Sequence, residues 1–418
     1  VLTNVFLFAV ILHLIVQLWL ARRQIAYVTA HSDRVPTRFA SAVSPAEHAL
    51  AAQYTVAKQR LGMVEALYEA IVLLLLTLGG GISRVGEWVS GWIDSPILGG
   101  TAHVLAVFAI LGLASLPFGI YRTFVLEQRF GFNRSTPAVF ASDLLKSTLV
   151  GGLLGGVIVA VVLAIMSAAG NAWWLIGWAV WLTFSLLITW AWPRIIAPLF
   201  NKFSPLTDNE LRGRIDALLT RCDFHAKSVY IMDGSKRSAH GNAYFTGLGR
   251  EKRIVFFDTL LDALSPAQIE SVLAHELAHF KLRHIPQRLV ASAALTLAGF
   301  ALLGWLARQP WFYTSLGVSQ ASDAAALLLF VLVVPVFTWL VSPALAAWSR
   351  RHEFEADAFA AEHSDASELA DALVKLYKDN ASTLTPDPFY SAFYDSHPPP
   401  AARIARLLPP KASTPAAQ

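Results

Sequence analysis

Seven apolar runs, each close to the roughly 20 residues that a bilayer's hydrocarbon core demands, restrict this chain more than anything else in it. They lie at about 4–20, 66–82, 100–121, 148–169, 172–192, 290–307 and 324–347. Glu65 and Glu69 intrude on the second run and Pro193 closes the fifth, so these two are the least regular. The first run has no basic stretch before it and no small-residue cleavage signature after it. Arg22 and Arg23 follow directly, so it is expected to stay as an anchor. Composition agrees with a membrane protein: only 15% of the 418 residues are charged, against about 25% in soluble domains. The mean hydropathy is +0.50. His13 and His103, inside spans, read as hydrogen-bonding residues between helices.

The basic residues set an orientation. With the N-terminus outside, the segments 21–65, 122–147, 193–289 and 348–418 fall inside, and they hold 31 of the 33 Lys and Arg. Only Arg84 and Arg308 lie outside. The positive-inside rule then places nearly all polar protein on the cytosolic face. The same distribution explains the basic isoelectric point and argues against nucleic acid as a partner, because no basic domain is concentrated anywhere. A lone Cys222 excludes an internal disulfide and cysteine-rich metal clusters.

The expected organisation is five spans and their loops (1–192), a polar insert (193–289), two further spans (290–347), a C-terminal cytosolic region (348–408) and a disordered tail (409–418). The insert reads as a small α+β layer. Leu211, Ile215, Leu218 and Leu219 repeat at helical spacing. "KSVYIMDG", "GNAYFTGLG" and "KRIVFF" read as strands, the last leading into a short helix. The fold class is therefore a polytopic α-helical membrane protein with an α+β insert.

At the end of the insert stands "LSPAQIESVLAHELAHF". Ser265 is placed to cap a helix, Pro266 suits its first position, and Gln268 completes a capping box. On that helix His275 and His279, four apart, share a face, and Glu276 lies one step round. Two imidazoles at this spacing hold Zn²⁺, and a carboxylate beside them takes a proton from water. A third ligand is required. After the seventh run comes "SRRHEFEADAFAAEH", in which Glu353 and Asp357 share a helical face. Glu353 is the expected third metal ligand, and Asp357 is the expected acceptor for a ligating imidazole. His352 and Glu355 are rivals pointing to other sides of that helix. His284, beyond the motif, reads as a packing or helix-end residue.

The chain as a whole resembles the Ste24-type CAAX prenyl endopeptidases of the M48 metallopeptidase family. The resemblance is carried in order by "LEQRFGFNRSTPAVFASDLLKS", "FNKFSPLTDNEL", "MDGSKRSAHGNAYFTGLG", "RIVFFDTLL", "AHELAHFKLRH", "SRRHEFEADAFA" and "SHPPPAARIARL". It implies seven helices enclosing a chamber, one zinc per chain on His275, His279 and Glu353, Glu276 as general base, and Asp357 behind a ligand. By the same resemblance, Asn242 and the backbone of Ala243 pair with an extended peptide, while His397 and Arg403 steady the oxyanion. Read from the residues alone, Asn242 also suits a turn, His397 a rigid C-terminal turn, and Arg403 an ion pair. The resemblance is to the family's bacterial branch. The absence of a eukaryotic luminal or trafficking signal at the C-terminus bears on substrate, since bacteria are not expected to make prenylated CAAX proteins of their own. Localisation in a bacterial inner membrane follows, with peptide or protein substrates that need not be lipidated, and a monomeric enzyme among membrane lipids. A quality-control protease of the same family without prenylated substrates is an alternative, and a transporter or scaffold a remote one.

Overall fold

The structure, a computed structural model, describes residues 1–225, 228–246 and 253–409. Most of the expected tail and the end of the glycine-bounded strand lie outside them. Among the described residues six helices are long and apolar enough to cross a membrane, and a bent pair makes a seventh span. The bent pair is the irregular second run. Pro45–Leu76 and Gly81–Ser90 meet at 53°, and Gly80 between them sits at φ +71°, where a side chain would be strained. His103 behaves as expected of a histidine inside a span: its Nε2 lies 2.8 Å from the Ile82 carbonyl, tying two helices.

Lipid contact shows in the side chains. On Pro137–Ala168 the exposed residues Leu145, Leu149, Leu153 and Val157 recur every fourth position, an apolar stripe facing outward. Opposite it, Ile158, Val162, Leu163 and Met166 enter the membrane core. Pro193 does not end its span. The helix opens into a π-helical turn at Trp192–Ile196, and the span runs on to Phe200, the kind of local widening that lets a helix absorb a proline.

Beside the spans sits the α+β layer. Its four-stranded sheet has the order β1-β2-β4-β3, with β1 Phe203–Pro205, β2 Ser228–Met232, β3 Ala243–Thr246 and β4 Arg253–Phe257. β2 and β4 are parallel, the other pairs antiparallel. β1 has no clear signal in the sequence: it is three residues long and carries Pro205, which an edge strand tolerates. The helix Asn209–Arg221 buries Ile215 and Leu218 against Phe256 of β4 and against Ile269, Leu273 and Leu277 of the motif helix Pro266–Lys281.

Both metal-motif helices are welded to membrane spans. The motif helix is followed after Leu282 and Arg283 by the span His284–Leu306, and Arg283 takes φ +58° at the break. The helix carrying Glu353, Ser342–His363, continues the last span within one 41-residue stretch, Asp323–His363. The rigid spans therefore fix where the two halves of the site meet.

Candidate active site

The motif helix begins as its sequence requires. The Ser265 hydroxyl accepts from the Gln268 N–H at 3.2 Å, and the Gln268 side chain accepts from the Ser265 N–H at 3.1 Å, closing a capping box. Two turns on, His275 is buried and His279 half-buried. Their rings stand nearly perpendicular, at 85°.

Glu353 is buried and reaches between them. Its carboxylate lies 3.4 Å from His275 Nε2 and 3.6 Å from His279 Nε2. Three potential ligand atoms thus fall within 4.8 Å of one another. Among the described residues, Glu353 Oε2 is buried with no hydrogen-bond partner. A desolvated carboxylate that turns one oxygen to each of two imidazole nitrogens is an expensive arrangement for a protein alone. It is what a divalent cation would neutralise, so the donor set fits zinc.

Behind His275 is a second carboxylate. Its Nδ1 donates to Asp357 Oδ1 at 2.9 Å, which places a proton on Nδ1 and leaves Nε2 to face Glu353. Asp357 is held in turn by Arg403, whose Nε donates at 2.8 Å and whose Nη2 donates to the other oxygen. Arg403 is buried, and both contacting nitrogens face Asp357 and not open space. His397 differs: its side chain is 64% exposed, with Nε2 at 3.5 Å from Glu353.

These C-terminal residues are carried in by a docked segment. The helix Pro388–Tyr394 is capped by Asp387, which also pairs with Arg23 of the first span at 2.9 Å. Arg350 donates to the Ser391 and Asp395 carbonyls at 3.2 and 2.8 Å. His397 follows directly.

The remaining expected site residues sit on the sheet. Asn242 stands just before β3 and Ala243 opens it; β3 ends the sheet, with one side unpaired among the described residues, and packs against the motif helix. The Asn242 carbonyl accepts from the Phe257 N–H at 2.9 Å, and its side chain accepts from the Ala243 N–H at 2.8 Å. No hydrogen bond joins them to the histidine–carboxylate group among the described residues. Arg237 anchors the approach to β3 by binding Asp143 of a membrane helix at 2.7 Å and the Phe200 carbonyl at 2.6 Å. That anchor was invisible in the sequence.

Electrostatics separate the roles further. Burial raises the Glu276 carboxyl above its ordinary value, and Glu353 nearby adds to the shift, while His275 and Arg403 oppose it. His279 is pushed down to about 4, by burial first and then by the charge of His275, so its ring is a neutral donor. For His275 burial acts downward, but the carboxylates of Asp357 and Glu353 beside it win and carry it up to about 9. Without a metal this ring takes a proton to balance two carboxylates. A metal would displace that proton.

A second group gathers residues that the sequence reading kept apart: His352 and Glu355, taken there as rival ligands, and His284, taken as a packing or helix-end residue. His284 Nδ1 lies 3.0 Å from His279 Nδ1, and His284, His352 and Glu355 also bring three ligand-type atoms within 4.8 Å.

Comparison with known proteins fits this geometry. Residues 24–202 match the family model described as CAAX prenyl protease N-terminal, five membrane helices, and residues 205–411 match Peptidase family M48. A CAAX prenyl protease 1 homolog of Arabidopsis thaliana is 37% identical over 75% of this chain and 74% of its own length. A probable CAAX prenyl protease 1 of Schizosaccharomyces pombe is 31% identical over 91% of this chain and 83% of its own. The crystal structure of S. mikatae Ste24p superposes with a TM-score of 0.90 at 28% identity, covering 97% of this chain and 98% of that one. The relatives identified by name, from plants, yeasts and mammals among others, are eukaryotic. This overturns both the bacterial branch and the bacterial inner membrane expected from the sequence. The reason is physical: hydropathy and basic flanks report spans and sidedness, and neither says whose membrane it is.

Proposed function

This chain belongs to peptidase family M48 as a membrane-embedded zinc metalloendopeptidase, and from that premise we propose that it cuts membrane-associated peptides bearing a prenyl group, working as a monomer with one zinc ion. The observation that carries the catalytic part is the buried Glu353 carboxylate, whose orphaned Oε2 faces His275 Nε2 while its Oε1 faces His279 Nε2. In this reading these three residues hold the metal. When bound there, zinc supplies a Lewis acid for the peptide carbonyl and lowers the pKa of a water from 15.7 to about 7.

The chain's own residues do the rest. Glu276 takes the proton of the attacking water and returns it to the leaving amine. His397, exposed beside the ligand group, donates toward the oxygen on which charge develops. Arg403 works through Asp357, which keeps the His275 tautomer that presents Nε2. The open side of β3, starting at Asn242 and Ala243, receives the peptide as an added strand.

The prenyl part rests on the relatives' activity and on a cavity of roughly 560 Å³ among the membrane helices. It is lined by Val10, Leu14, Leu73, Phe108, Phe118 and Val336, with Glu65 and Glu69 also on its wall. Its size suits a small ligand. One peptide prepared with and without an isoprenyl thioether decides the matter. Burying two or three extra methylenes at ~0.8 kcal/mol each is worth at least about tenfold in kcat/KM. Equal kcat/KM for the two peptides would remove the prenyl preference and leave the peptidase intact.

A pH profile tests the base. A carboxylate acts as a base only above its pKa, and that of Glu276 is raised. Activity of the zinc-saturated enzyme is therefore expected to be full at neutral pH and to fall as pH drops and Glu276 takes a proton, with burial moving that fall upward and the bound cation moving it down. Undiminished activity of the zinc-loaded enzyme far below the carboxylate range would exclude Glu276 as the base.

A further inference from the structure

The group formed by His284, His352 and Glu355 looks at first like a second metal site, since their ligand-type atoms lie within 4.8 Å of one another. Its geometry rejects an ion. The His284 and His352 rings are stacked 4.0 Å apart and only 7° from parallel. Nitrogen lone pairs lie in the ring plane, so two stacked rings aim them side by side and not at one point. His352 Nε2 is also engaged, 3.1 Å from Gln287 Oε1.

A proton count points elsewhere. A neutral imidazole carries one N–H, and the nitrogen without it is the acceptor or ligand. If His279 Nε2 faces the metal, its proton is on Nδ1. That N–H points at His284 Nδ1, 3.0 Å away, which must then accept. His284's own proton is left on Nε2, 3.0 Å from Glu355 Oε2, and Glu355 Oε1 is gripped by Arg351 Nε at 2.9 Å. One set of tautomers satisfies every contact. A metal on His284 Nε2 would instead force two N–H groups to face each other across 3.0 Å.

We propose that His284 is a positioning residue for zinc, a relay that fixes the tautomer and orientation of His279 and connects it to Glu355 and Arg351. This rests on the reading of His279 as a ligand. It gives the two histidine ligands matching supports. His275 is backed directly by Asp357, itself held by Arg403. His279 is backed one ring further out by Glu355, held by Arg351. Burial suits the task, since His284 is 1% exposed and its stack on His352 fixes its plane.

Zinc affinity of the full-length protein in detergent, measured by competition with a chelator, tests this. His284→Phe keeps the stacking ring but has no nitrogen, and is expected to weaken zinc binding about 10- to 100-fold, as loss of a ligand's hydrogen-bond partner does elsewhere. His284→Asn places an amide oxygen near the lost Nδ1 and is expected to restore most of that affinity. Glu355→Gln is expected to weaken binding in the wild type and to add little in the His284→Phe background, because the chain is already broken there. Zinc affinity of His284→Phe within about twofold of wild type, below the range expected for such a partner, would overturn the relay. So would an Asn variant no better than Phe, which is what a purely packing role predicts. His279→Ala separates the two readings: it is expected to lose zinc, and retention would overturn the ligand assignment itself.

Discussion

Glu276→Gln is expected to lower kcat for peptide hydrolysis by about 10²- to 10⁴-fold, the usual worth of a positioned general base, with zinc content left at the wild-type level. Glutamine has the shape of glutamate but cannot take a proton from water. The substitution removes no atom from the group of His275, His279 and Glu353, whose ligand-type atoms converge without Glu276. Stability supplies the control. The folded-state pKa of Glu276 is raised chiefly by burial, so its stabilising contribution is present when it is protonated at low pH. That contribution is lost as pH rises, and at neutral pH the buried charge is a cost. The substituted amide carries no charge, and the variant is expected to unfold at the same temperature as wild type or higher. Activity, zinc content and melting together decide the case: wild-type turnover, or loss of zinc along with activity, would each remove Glu276 from the role of base.

How far the sequence could be read depends on the range of the interactions involved. The spans were legible because lipid contact demands long apolar runs. The second run was irregular for a reason now visible: Glu65 and Glu69 line a cavity, Glu65 pairs with Arg122 at 2.6 Å, and the helix breaks at Gly80. His275, Glu276 and His279 were legible because one helix sets their spacing. Glu353 and Asp357 were legible as a pair, one turn apart, although nothing local told which oxygen faces which imidazole. Links between distant segments were not legible. Arg403 and Asp357 are 46 residues apart, Arg237 and Asp143 94 apart, and the docking of Asp387 on Arg23 spans 364. His284 was hidden differently. The motif helix ends at Lys281, and only the left-handed turn at Arg283 swings the next helix so that His284 meets His279.

Arg403 shows most clearly what the long-range pairing adds, and its replacement carries the largest expected loss of stability. Arg403→Met is expected to cost about 3–5 kcal/mol, the penalty for stripping one partner from a buried ion pair. The methionine fills the space, but Asp357, only 2% exposed, keeps a charge balanced by His275 alone. Zinc binding should weaken with it, since Asp357 is what holds His275 Nδ1. Adding Asp357→Asn to Arg403→Met separates the two effects. The neutral amide removes the unpaired charge, so much of the stability is expected to return. It accepts from the His275 N–H more weakly than a carboxylate, so zinc affinity stays low. An arginine acting on the substrate oxygen predicts the opposite pattern for Arg403→Met: lower kcat with unfolding and zinc binding unchanged. Unfolding midpoints and chelator competition on the single and double variants distinguish these outcomes. The bidentate contact with Asp357, in a site closed to solvent, is the reason to expect the first.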